Sequence, residues 1–158
     1  MVTKARDPKS VEKGRRERFG GPRKEAVIAV VRAADRLRRR FTAVLEPHDL
    51  TVQQYNVLRI LRGALPDPLP TMEIAERMME KTPAITGLLD RLESKRLVAR
   101  ERQSDDRRCV RCSITPAGRE LLAALDGPID RADAEALAGL DGGEIRRLTR
   151  LLALVARE

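Results

Sequence analysis

With 158 residues, 42% of them hydrophobic and only 2% aromatic, the chain can bury one real core, and its Leu, Ala and Arg usage favours helices over a β-sandwich. Two cysteines are too few for a disulfide framework, and the longest early apolar run, Ala26 to Val31, stops at Arg32, too short to cross a bilayer. A soluble, cytoplasmic protein with no membrane partner is expected.

The net charge of +8 is unevenly spread. Residues 1–24 hold nine Lys/Arg against three Asp/Glu, and residues 91–111 hold eight against four. Residues 25–90 balance nine against nine, and residues 112–158 hold six against eight. Clustered basic charge suits a polyanion such as nucleic acid; the competing reading is a solvated tail and a solvated loop.

Residues 1–24 show little apolar periodicity and read as a disordered basic arm. From Val27 the pattern turns helical. Val27, Val30, Val31, Ala34, Leu37, Phe41, Val44 and Leu45 recur at three- and four-residue steps until Pro47 ends the run. A second helix opens at Thr51 and Gln54, a T-x-x-Q capping box, with Leu50 and Tyr55 placed as a hydrophobic staple. Val57, Leu58 and Leu61 form its buried face; Gly63 and the P-D-P-L-P stretch at 66–70 stop it.

A short helix is predicted from Thr71 to Met78, with Ile74, Ala75 and Met78 facing inward. After a turn at Met79 to Lys81, Thr82 reads as an N-cap and Pro83 as a first helical residue, opening a helix of three or four turns that runs to Lys95. Two helices joined by a tight turn, the second amphipathic, make a helix-turn-helix pattern. The period then changes. Leu97, Val98, Arg100 and Arg102 read as a strand, Q-S-D-D-R-R (103–108) as a polar turn, and Val110, Cys112 and Ile114 as a returning strand. Such a hairpin beside a helix-turn-helix is a wing. Thr115 and Pro116 repeat the cap-plus-proline signal for a helix with Leu121, Leu122, Leu125, Ile129 and Leu137 as its apolar stripe, kinked rather than ended at Gly127–Pro128. D-G-G-E at 141–144 opens the last helix as an Asp capping box, with Leu140 and Ile145 as a staple.

Projected at about 100° per residue, the helix 82–95 turns Ile85, Leu88, Leu89 and Leu92 to one side. The other side holds Pro83, Thr86, Gly87, Asp90 and Ser94, with Arg91 on its flank. Small outward side chains let a helix sit deep in a major groove about 12 Å wide. Thr82 and Thr86 can touch bases or phosphates, while Lys81, Arg91 and Lys95 suit phosphates. Arg107 and Arg108 lie at the hairpin tip, where arginine is drawn to the negative potential of a narrow minor groove. Each feature alone also fits an ordinary surface helix and a solvated turn; their order favours a DNA reader.

The stretches L-L-D-R-L-E-S-K-R-L-V-A-R (88–100), D-D-R-R (105–108) and S-I-T-P-A-G-R (113–119) resemble the central signature of the MarR family. L-T-V-Q-Q-Y-N-V-L-R-I-L (50–61) resembles that family's second helix, and the likeness runs from about residue 25 to the C-terminus. The resemblance implies a mainly α fold with a β-hairpin wing: a winged helix-turn-helix lobe at 49–114 between a dimerisation helix at 25–48 and C-terminal helices at 115–158. It implies a homodimer joined through Val27, Val30, Val31, Ala34, Leu148, Leu151, Leu152 and Val155. It further implies a double-stranded, pseudo-palindromic operator as partner, repression of transcription, and a small-molecule effector. Thr82, Pro83, Thr86 and Gly87 match recognition-helix positions, and Arg107 and Arg108 the wing arginines. Arg96 departs from the family, which has Gly there as a left-handed helix stop, so Arg96 must accept strain or end the helix differently.

Cys109 and Cys112 sit three residues apart on one strand and point to opposite faces, a poor geometry for a disulfide or a shared metal; Cys112 reads as a small core residue and Cys109 as an exposed thiol. His48, the one histidine, has no second ligand near it. Without a nucleophile–base pair or a glycine-rich phosphate loop, neither catalysis, a metal nor a cofactor is expected. Two rival functions stay open: a DNA-architectural protein that coats duplex without sequence preference, and a protein-interaction module that kept the fold.

Overall fold

The computed structural model describes residues 20–79, 84–102 and 110–156. In chain order it holds α1 (Pro22–Leu45), a 3-10 turn (Glu46–His48), α2 (Val52–Gly63), β1 (Leu69–Pro70), α3 (Thr71–Arg77), α4 (Ile85–Ser94), β2 (Val98–Arg102), β3 (Val110–Ile114), α5 (Pro116–Ala136) and α6 (Gly142–Val155). The chain divides at Arg39–Arg40 into an N-terminal unit and a larger one.

In the N-terminal unit, the helix starts earlier than the apolar pattern at Val27 suggests. Gly20 and Gly21 adopt positive φ (69° and 115°), and Pro22 opens the helix. Proline is suited to that first position because its φ is preset and its missing N–H is not needed there. The first turn then runs through Arg23 and Lys24, good helix formers that carry no apolar signal. The helix therefore takes in the last three residues of the segment read as a basic arm; residues 1–19 lie outside the described ones. Val27 and Val31 are exposed.

The larger unit has its core around α2, which packs against α3, α4, α5 and β3. Its start is as the sequence indicates: the Thr51 hydroxyl accepts from Gln54 N (3.2 Å) and Thr51 N donates to Gln54 Oε1 (3.0 Å). Leu45, Val57, Leu58, Leu61, Ile74, Leu89, Leu92, Leu122 and Leu125 are buried together, and Phe41 and Val44 lean against them. Arg62 on α2 makes a two-pronged ion pair with Asp126 on α5 (2.8 and 2.9 Å).

The sheet has the order β1-β3-β2, antiparallel throughout, with Arg100 opposite Cys112 and Val98 opposite Ile114. Its third strand falls within the P-D-P-L-P stretch read as a loop: Leu69 and Pro70 pair with Cys112 and Arg111. Two residues are too short to show a period, and proline, having no N–H to give, is confined to such an edge. α5 opens on Thr115, whose hydroxyl accepts from Gly118 N (3.1 Å), and runs unbroken through Pro128. It ends at Ala136, so Leu137 caps it and is only half-buried. Asp141 caps α6 through Gly143 N and Glu144 N, and Leu140, expected to form a staple with Ile145, is exposed. Along α6, Leu148, Leu151, Leu152, Leu154 and Val155 are all exposed. Among the described residues no helix is long and apolar enough to cross a membrane.

Candidate nucleic-acid interface

The described part of the second helix in the helix-turn-helix pair is α4, ten residues long, capped by the backbone of Ala84 rather than by a side chain. Lys81, Thr82 and Pro83, assigned to its start, lie outside the described residues, as do Arg107, Arg108 and Cys109 of the hairpin. Within α4 the projection holds. Ile85, Leu88, Leu89 and Leu92 are buried, while Thr86, Asp90, Arg91 and Ser94 are exposed and Gly87 half-exposed. Among the described residues nothing lies within 4 Å of the position a Cβ would take on Gly87. Glycine costs about 1 kcal/mol against alanine inside a helix, and the described fold gives no packing reason for it.

Bonds to other elements hold the chain on either side of α4. Met79 N, two residues beyond α3, donates to Asn56 Oδ1 on α2 (3.0 Å). At the other end Arg96 adopts φ 59°, the left-handed stop made without glycine. Arg96 N donates to Glu93 O (2.8 Å) and Leu97 N to Leu92 O (2.9 Å). These bonds are the two closures of a Schellman motif, with Leu92 and Leu97 buried beneath it. Lys95, placed by sequence among the phosphate contacts, gives its ammonium to Asp49: Nζ lies 2.8 Å from the carboxylate and also donates to the Asp49 carbonyl oxygen. Asp49, itself at φ 52°, closes the turn before α2.

The hairpin is tied to α4 through Arg100. From β2 its guanidinium donates to Glu93 (2.8 and 2.5 Å) and to Asp90 (2.5 Å). Hydrogen bonding to Glu93, then to Asp90, raises the Arg100 pKa further above its already high value. In sequence Arg100 reads only as a strand residue. Its partners lie ten and seven positions away across a turn, a spacing with no local signature. Behind it Cys112 is fully buried, as its alternation suggests, and burial pushes its thiol pKa up. The Thr71 hydroxyl lies 3.8 Å from the sulfur and donates to Val110 O (3.3 Å), fastening α3 to the sheet. Among the described residues no three His, Cys, Asp or Glu side chains gather as a metal site would require.

A helix pair whose second helix shows a small polar face, followed directly by a hairpin, defines the winged helix-turn-helix class. The MarR family profile matches residues 50–110. A MarR transcription factor from Planctomyces limnophilus is 35% identical, with 85% of this chain and 97% of that one aligned, at a TM-score of 0.69. A cysteine-to-serine variant of MarR from E. coli, solved with operator DNA, is 25% identical over 82% of this chain and 91% of that one (TM-score 0.74). BpsR of Bordetella bronchiseptica, 22% identical, shares the fold at a TM-score of 0.77 over 84% of this chain and 99% of its own. The chain belongs to the MarR family of transcription regulators.

Proposed function

We propose that the protein is a sequence-specific repressor that binds a pseudo-palindromic operator in double-stranded DNA as a homodimer and releases it on binding a small-molecule effector. The observation that carries this reading is the outward face of α4. Thr86, Gly87 and Arg91 stand clear of the fold while the opposite face is buried. The relative from E. coli was solved on operator DNA. Thr86 and Gly87 approach the bases and Arg91 a phosphate, with Lys81, Thr82, Pro83, Arg107 and Arg108 completing the contact. Lys95 serves as an anchor to Asp49.

A dimer is supported by apolar side chains left in water: Val27, Val30 and Val31 on α1, and Leu148, Leu151, Leu152 and Val155 on α6. A two-fold dimer reads half-sites about 10 bp apart. An effector lifts repression only by binding better to a conformer whose two reading helices are misplaced.

The test is selection of bound fragments from genomic DNA, followed by affinity for the recovered site and for random duplex. A site preference of about 10³ or more is expected. A ratio near one would instead support an architectural protein.

A further inference from the structure

Resting on the reading of α4 as the DNA-facing helix, we propose that Arg100 acts in DNA binding as a positioning residue. It masks the two carboxylates that α4 carries beside its reading face and ties the middle of β2 to that helix.

Asp90 follows Thr86 by four residues and Glu93 follows Asp90 by three, so the three side chains form one ridge along α4. Two carboxylates on a ridge meant for a polyanion are a liability: each repels phosphates within the screening length, about 10 Å at 0.1 M salt. Both stay partly in water, with side chains 56% and 43% exposed, whereas the Arg100 side chain is only 20% exposed. The guanidinium is thus committed inward, and its bonds go to these two acids. It halves the net negative charge of the ridge and fixes the direction in which the carboxylate oxygens point. Because Arg100 is a residue of β2, paired with Cys112 at the centre of the hairpin ladder, the same bonds hold the hairpin at a set distance from α4.

Masking and direct phosphate contact make opposite predictions for a variant that lacks all three charges. The experiment measures affinity for a duplex recovered by genomic selection and for a random duplex of equal length, between low and moderate salt. R100M should weaken binding to both by about three- to tenfold at low salt, as expected for exposing one uncompensated charge near several phosphates, with the loss shrinking as salt rises. The triple variant D90N/E93Q/R100M, which removes all three charges and takes the ridge from one net negative charge to none, should bind about three- to tenfold more tightly than the wild type at low salt by the same arithmetic. A triple variant as weak as R100M would overturn the proposal in favour of a direct contact or a purely structural brace. Should R100M fail to fold, D90N/E93Q decides: it frees the cation and should tighten binding at low salt, and unchanged affinity would overturn the proposal. A wild type that binds no duplex would instead defeat the DNA-binding reading itself, an outcome distinct from wild-type binding that Arg100 does not influence.

Discussion

The Thr115 hydroxyl donates to the carbonyl oxygen of Arg96 at 2.7 Å, so the residue that stops α4 in a left-handed turn is held by the residue that caps α5. Thr115 N adds a bond to Leu97 O (3.1 Å). The end of one helix, the start of another and both roots of the hairpin therefore meet within a few residues.

The first prediction concerns the strain at that meeting point. A non-glycine residue in the left-handed region costs roughly 1–2 kcal/mol, of which glycine would give back part through its greater freedom when unfolded. Arg96→Gly should raise stability by about 0.5–1 kcal/mol, read as a higher urea midpoint at fixed protein concentration. A lower midpoint would mean that the Arg96 side chain contributes more than its backbone loses.

Gly118 lies on the other side of the same junction. A Cβ there would stand 2.4 Å from Leu97 O and 2.8 Å from Ile114 Cγ1. Backbone cannot yield as a flexible side chain does, so Gly118→Ala should cost about 3 kcal/mol, the upper end for overpacking. Thermal unfolding measures it, and a melting temperature within a degree of wild type would contradict the close approach.

Gly87 should behave in the opposite way. With no described residue within 4 Å of the added methyl, alanine gains helix propensity, about 0.8–1 kcal/mol. Gly87→Ala is therefore expected to stabilise the protein and to weaken operator binding. Unchanged operator affinity would show that the duplex does not come within reach of a methyl group at this position.

Thr86→Ala tests the reading role directly. If the hydroxyl contacts a base, the loss is about 1–3 kcal/mol and depends on the base presented. An equal loss on every duplex would reassign Thr86 to the phosphates.

The ion pair between α2 and α5 predicts an acid limb. Hydrogen bonding to Arg62 is the main reason the Asp126 carboxyl sits below the usual carboxylate range. A pKa lower in the folded state contributes stability in full above the unfolded value, near 3.9, and loses it as pH falls through the folded value. Both side chains are partly in water, so the contribution is about 1 kcal/mol or less. Asp126→Asn should lower stability modestly at pH 7 and flatten its decline below about pH 4, measured by urea titration across that range. An identical pH profile for variant and wild type would dismiss the pair as a stabiliser.

Features written in adjacent residues were legible. The caps at Thr51, Thr115 and Asp141, the buried stripe of α4 and the burial of Cys112 each follow from spacing within one element. For Arg96 the likeness to the family left two outcomes open, strain or a different helix end, and its positive φ selects the first. What stayed hidden depends on contacts between distant residues. Leu69–Pro70 becomes a strand only because β3 lies alongside; Asn56 reaches the Met79 amide from another helix; Arg100 and Lys95 find their acids across turns. The Pro22 start escaped because apolar periodicity says nothing about a basic first turn.

The bonds from Asn56 to Met79 and from Asp49 to Lys95 bear on portability. One partner of each bond belongs to α2 or the turn before it, and the other is Met79, just beyond α3, or Lys95, at the end of α4. A peptide of residues 71–95 cut from the chain would lose both fasteners and should not keep its contour. Any chimera meant to carry the proposed DNA-facing helix to another scaffold must import the segment from Asp49 onward, or rebuild those two fasteners in the host.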